Sequence, residues 1–113
     1  MKLRSEKRPW GGEEIFALNE KCSVKILNVK AGRRFSLQFH RHRREFWKFL
    51  DNPAKITIGK KTRKVGKGFI VEVKSGELHR IEALKKDVRV LEISFGRFDE
   101  KDIVRLEDDY GRA

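Results

Sequence analysis

Hydrophobic and polar residues alternate along this chain in short blocks separated by glycine, proline and asparagine. Cys22–Lys30 (C-S-V-K-I-L-N-V-K) is rich in β-branched residues and predicts a strand. A turn around Gly32 leads to a second strand over Ser36–His42. Glu45–Leu50 alternates, with Glu45, Trp47 and Phe49 on one face and Phe46, Lys48 and Leu50 on the other. Asp51-Asn52-Pro53 is a turn, and Gly59-Lys60-Lys61 joins Lys55–Ile58 to Thr62–Val65 as a hairpin. Gly66-Lys67-Gly68 and Lys74-Ser75-Gly76 set off further strands at Phe69–Val73, Leu78–Leu84 and Val88–Phe95. Upstream, R-P-W-G at Arg8–Gly11 is a turn in which Pro9 fixes φ, and Glu14–Leu18 is a short strand. Residues 1–12 read as an N-terminal arm that docks on the barrel or on a partner subunit. Asp99–Arg105 is expected to form one helical turn capped by Asp99. There is no long amphipathic helix, internal repeat or low-complexity segment. About eight to ten short strands with regular turn signals predict an all-β sandwich or barrel. Trp47 and Phe49 belong in its core, Cys22 is expected as a packed small side chain, and Trp10 as a plug at the barrel mouth or a subunit interface.

Length and charge narrow the classes. A chain of 113 residues is one domain. Charged residues make up 40% and the net charge is +11, which favours anionic partners unless the cations only decorate a solvated surface. Nucleic acid ranks last among those partners, because no RNA-binding motif or aromatic stacking platform accompanies the charge. Cys22 is the one cysteine, so no intrachain disulfide forms. The N-terminal M-K-L-R-S-E-K-R-P-W lacks the apolar core of a signal peptide, and no apolar run approaches a membrane span. A cytoplasmic protein is expected. One Gln and three Asn against abundant Lys, Arg and Glu resemble the composition of proteins from hot environments.

Candidate chemistry concentrates in Ser36–Trp47, S-L-Q-F-H-R-H-R-R-E-F-W, which holds two of the three histidines. On a strand, Ser36, Gln38, His40 and His42 share one face and Leu37, Phe39 and Arg41 the other. Glu45 follows on the next strand. An amide, imidazoles and a carboxylate converging from two strands make a mixed N/O metal site, and the third histidine, His79, can close it. The competing reading is a solvated basic face built on R-H-R-R. With Gln38 and His40 inward, Phe35, Leu37 and Phe39 face outward and need a cover, either a twofold partner subunit or a terminal arm.

The spacing Gln38-x-His40-x4-Glu45, followed later by Gly76-x-x-His79, resembles the metal motifs of the cupin superfamily. More narrowly, the chain resembles the C-terminal domain of type II phosphomannose isomerases. The carrying segments are R-P-W-G, S-L-Q-x-H-x-x-R-x-E-x-W at Ser36–Trp47, G-x-x-H-R-I at Gly76–Ile81, L-E-I-x-x-G at Leu91–Gly96 and the D-I-V-R segment from Asp102. The resemblance implies a cupin jelly roll with a divalent metal (Zn, Mn, Fe, Co or Ni) on Gln38, His40, Glu45 and His79, and it removes His42 from the ligand set. The chain departs from the family at Phe46, where His is usual, and at Ala83, where Asn is usual.

Two functions follow as expectations. The first is a metal-dependent isomerase that converts mannose 6-phosphate to fructose 6-phosphate by enediol proton transfer. The metal polarises the carbonyl, and His42 or a metal-bound hydroxide is the base, because Glu45 is occupied as a ligand. Arg43 matches an arginine that the family associates with isomerase function, and Arg80 and Lys67 are candidate phosphate contacts. The second is a non-catalytic cupin that binds a sugar phosphate or nucleotide sugar as a sensor or accessory subunit. A homodimer is expected in either case.

Overall fold

The computed structural model describes residues 4–113, in which eleven β-strands and no helix form. They are β1 (Arg4–Arg8), β2 (Gly11–Ile15), β3 (Cys22–Val29), β4 (Leu37–Phe39), β5 (Arg43–Phe49), β6 (Ala54–Ile58), β7 (Lys61–Val65), β8 (Ile70–Val73), β9 (His79–Ala83), β10 (Val88–Gly96) and β11 (Val104–Glu107). β1 and β2 form a separate hairpin through the Pro9-Trp10 turn. The rest make two antiparallel sheets, in the orders β3-β10-β5-β8 and β11-β4-β9-β6-β7. Among the described residues no helix is long and apolar enough to cross a membrane.

The sheets face each other across one interior. Val29, Trp47, Phe49, Val73, Val88 and Val90 of the first sheet pack on Ala54, Ile56, Val65, Ile81 and Ala83 of the second. Trp47 and Phe49 are fully buried, as the alternation of β5 requires. The outer face of the first sheet carries its own cluster. Phe46, Ile93 and Phe95 lie there under Phe16 and Ala17, which follow the hairpin. β10 therefore buries both faces over most of its length.

Inward residues change character along each strand. On β5 they run Arg43, Glu45, Trp47, Phe49; on β10, read backwards, Ser94, Glu92, Val90, Val88; on β9, His79, Ile81, Ala83. Pairing of Ser94 with Glu45, Val90 with Phe49 and Ala54 with Ala83 keeps like with like, and Glu92 opposite Trp47 marks the boundary between them. One end of the barrel is thus a polar mouth and the other an apolar floor. Gly96 ends β10 at φ +99°, and a Cβ there would lie 2.7 Å from the His42 carbonyl oxygen, so a side chain is excluded at this crossing.

Several expectations are corrected. The helical turn at Asp99–Arg105 is a tight turn followed directly by β11. Asp99 Oδ1 accepts the Lys101 N–H at 2.9 Å, but Val104–Glu107 then pairs with β4. The strand expected over Ser36–His42 is only Leu37–Phe39, because the chain is irregular at residues 35 and 36 after an isolated bridge from Arg34 to Glu82. That break turns Phe35 inward against Trp47 and His79, while Leu37 and Phe39 are half-buried. Cys22 is exposed at the start of edge strand β3. Trp10 is 72% exposed at the hairpin tip rather than seated in the mouth. Of the arm, residues 1–3 lie outside the described residues, and the remainder belongs to the hairpin.

Candidate metal centre

The mouth is assembled from three strands and one loop. Gln38 on β4 pairs with His79 on β9, so their side chains share a face. Glu45 comes from β5 in the opposite sheet, and His40 from the connection that follows β4. The ligating atoms of His40, Glu45 and His79 lie within 4.8 Å of one another, and the three residues are 3%, 2% and 1% exposed. Gln38 Nε2 stands 3.4 Å from His40 Nε2 and 3.5 Å from His79 Nε2.

Both rings are held from behind. His40 Nδ1–H donates to the Asp102 carbonyl at 2.7 Å and His79 Nδ1–H to the Glu77 carbonyl at 2.9 Å. Each bond leaves the Nε2 lone pair facing the cluster, the arrangement a metal-ligating imidazole needs. The Asp102 carboxylate also accepts the backbone N–H groups of Arg41 (2.8 Å) and His42 (2.9 Å), which fixes the turn that carries His40. Burial pushes both histidines down to about 4, so they stay neutral. Burial also raises Glu45, with Arg43 opposing it.

These residues fit a divalent cation. Glu45 Oε1 is buried without a hydrogen-bond partner, 3.4 Å from His79 Nε2. Two neutral imidazoles, a carboxylate and an amide suit first-row divalent metals. Gln38 Oε1 now accepts from Ser36 Oγ at 2.5 Å; a half-turn of the amide presents the oxygen to a cation and lets Nε2 donate to Ser36 instead.

The surrounding cavity measures about 440 Å³. Arg43 enters it, donating to His40 Nε2 at 3.1 Å and standing 3.4 Å from Glu45 Oε2. The other sequence candidates fall elsewhere. His42 is exposed and lines a separate groove with Arg41, Arg97 and Lys101, because β4 ends before it. Arg80 alternates with His79 and points away from the cavity. It bonds the Phe35 carbonyl at 2.9 Å and Glu107 Oε1 at 3.0 Å. Lys67 is exposed in the turn that caps the floor, where Gly68 N–H bonds the Phe49 carbonyl.

Residues the sequence did not single out take their place. Glu92 is 5% exposed on the inward face of β10, lines the cavity, and is pushed up to about 7 by burial and then by the charge of Glu45. Lys25, Arg105 and Arg112 also line it. Alternation along V-R-V-L-E-I-S-F places Glu92 with Val88 and Val90, the one signal available for it.

The family model described as mannose-6-phosphate isomerase C-terminal matches residues 2–108. Mannose-1-phosphate guanylyltransferase ManC of Salmonella typhimurium is 33% identical over 108 residues, 94% of this chain and 22% of the relative. Alginate biosynthesis protein AlgA of Pseudomonas aeruginosa is 35% identical over 94% of this chain and 22% of its own length. The chain therefore spans less than a quarter of these curated relatives. Among solved structures, oxalate decarboxylase from Bacillus subtilis superposes with a TM-score of 0.69 at 25% identity, covering 77% of this chain and 24% of that one. The Cnp3 cupin domain of Schizosaccharomyces pombe superposes with a TM-score of 0.64 at 14% identity, covering 85% of this chain and 87% of that domain. A barrel shared with known cupins and a family match through nearly the whole chain lead to one assignment: this is a cupin of the mannose-6-phosphate isomerase C-terminal family.

Proposed function

We propose that this chain is a metal-dependent isomerase of mannose 6-phosphate and fructose 6-phosphate, acting in the cytoplasm in polysaccharide precursor synthesis. The observation that carries this reading is the convergence of His40, Glu45 and His79 on one point of a cavity that also holds a second buried carboxylate, Glu92. A divalent cation held by Gln38, His40, Glu45 and His79 supplies Lewis acidity towards a carbonyl and its neighbouring hydroxyl. Arg43 positions His40 and Glu45. Glu92 takes the proton from C2 of the aldose and returns it to C1 of the enediol, while the O2 hydroxyl proton passes to O1, since Glu92 is the buried carboxylate of the cavity that lies outside the donor set.

The departures at Phe46 and Ala83 do not touch the cavity. Phe46 packs beneath Phe16 on the outer face, with ring centroids 5.4 Å apart, and Ala83 lies in the floor. This favours the enzyme over the accessory binding module. The test is metal content together with a coupled assay on mannose 6-phosphate before and after chelation. Near-stoichiometric metal and chelator-sensitive turnover support the isomerase; metal without turnover supports the binding module.

A homodimer belongs to the same proposal. Hairpin β1–β2 is exposed on both faces and presents Trp10, and an isolated two-stranded ribbon is marginal in water. Light scattering should return twice the chain mass.

A further inference from the structure

Arg105 on β11 pairs with Gln38, so its side chain shares the inward face with a metal donor. It is half-buried and lines the cavity, and its Nε is buried without a hydrogen-bond partner. The other cations on this cavity have carboxylates. Arg43 stands 3.4 Å from Glu45, Lys25 3.9 Å from Glu92, and Arg112 2.8 Å from Asp108. Among the described residues Arg105 has no such counter-ion within the same reach. Only the Nε of Arg105 is buried, which leaves the terminal nitrogens of its fork free to meet a phosphate in two parallel bonds. Lys25, on β3, lines the same cavity, and its long contact with Glu92 leaves the ammonium able to share a second anion. β3 and β11 are edge strands, one from each sheet, so both cations stand where the barrel opens.

We infer that Arg105, assisted by Lys25, binds the phosphate monoester of the substrate at the β3–β11 edge of the cavity. The inference rests on the sugar-phosphate reading and gives it a direction: the reacting carbons point to His40, Glu45 and His79, and the phosphate to Arg105. It replaces Arg80 and Lys67 as the phosphate contacts expected from sequence.

Titration of the metal-loaded full chain with inorganic phosphate, followed by calorimetry, tests it. Arg105→Gln should weaken phosphate binding about 10- to 100-fold, the worth of one charge-assisted contact, with metal content unchanged. Arg105→Lys should recover part of the loss, and it carries the test if Arg105→Gln fails to fold. Lys60→Gln, a surface cation at a distant turn, should stay within about twofold of wild type. Phosphate affinity equal in wild type and both Arg105 variants overturns the subsite, as does a wild type that binds no phosphate. The isomerase reading is judged separately. Phosphate binding that depends on Arg105 with no turnover of any hexose phosphate retains the subsite and removes the enzyme. Turnover whose KM is unchanged in Arg105→Gln does the reverse.

Discussion

The two ends of this barrel are made by the same strands and obey opposite rules. β5 delivers Arg43 and Glu45 to the mouth and Trp47 and Phe49 to the floor, a rise of a few residues. At the floor, burial removes apolar surface from water and stabilises the fold. At the mouth, the same degree of burial falls on a carboxylate, two imidazoles and a guanidinium, and costs stability until a cation completes them. The lesson is that burial alone does not distinguish core from site; the partner that each buried group still lacks does.

Substitutions at matched depth sharpen this contrast. Phe49→Ala should cost about 3–5 kcal/mol, a large fraction of a domain's usual stability, in urea unfolding. Glu45→Gln, almost equally buried, should destabilise the metal-free protein less than Phe49→Ala does, because relief of a buried carboxylate offsets part of what Arg43 loses with its counter-ion, while divalent affinity falls by more than about 100-fold, beyond what a supporting residue costs. If Glu45→Gln instead unfolds the protein as Phe49→Ala does, the mouth is core and the comparison breaks. Asp102→Ala should lower metal affinity by about 10-fold in calorimetry, because it frees the turn carrying His40 without removing a ligand.

The contrast also shows in pH. His40 and His79 are depressed to about 4 from 6.5, so in the metal-free protein their contribution is complete above 6.5 and is lost as pH falls through 4. Glu92, raised to about 7 from 4.5, works in the opposite sense: its contribution is complete below 4.5 and is lost as pH rises through 7. The two windows overlap, and two histidines outweigh one carboxylate, so urea midpoints of chelated protein should rise with pH from about 4 to a maximum near 6.5 and then fall slightly towards 7. Glu92→Gln should flatten the alkaline side.

Much of the floor was legible from period-two alternation, which placed Trp47 and Phe49 inside. Glycine turns located most strands to within a residue or two. The donor set was legible because Gln38, His40 and Glu45 are near one another in sequence. Glu92 and Arg105 were not, for separate reasons. Alternation puts Glu92 on the face of Val88 and Val90, which marks it as inward but does not say what it meets there. Arg105 sits in a segment whose opening D-x-x-D resembles a capped helical turn, and only pairing with β4 reveals it as a strand. Phe35 was misplaced because the irregular backbone at residues 35 and 36 shifts the side-chain alternation, which sequence periodicity assumes is unbroken.

Asp102 joins the turn at Arg41 and His42 to a residue about sixty positions later. It accepts the His40 ring proton on its own carbonyl as well. The consequence is one of timing. A chain emerging from the ribosome carries Gln38, His40 and Glu45, on β4, β5 and the connection between them, long before Asp102 exists. Until that latch arrives the His40 ring has no fixed tautomer and no fixed direction. Capture of the cation is thereby postponed to the last stage of folding, and bound metal reports that the C-terminal strand has docked.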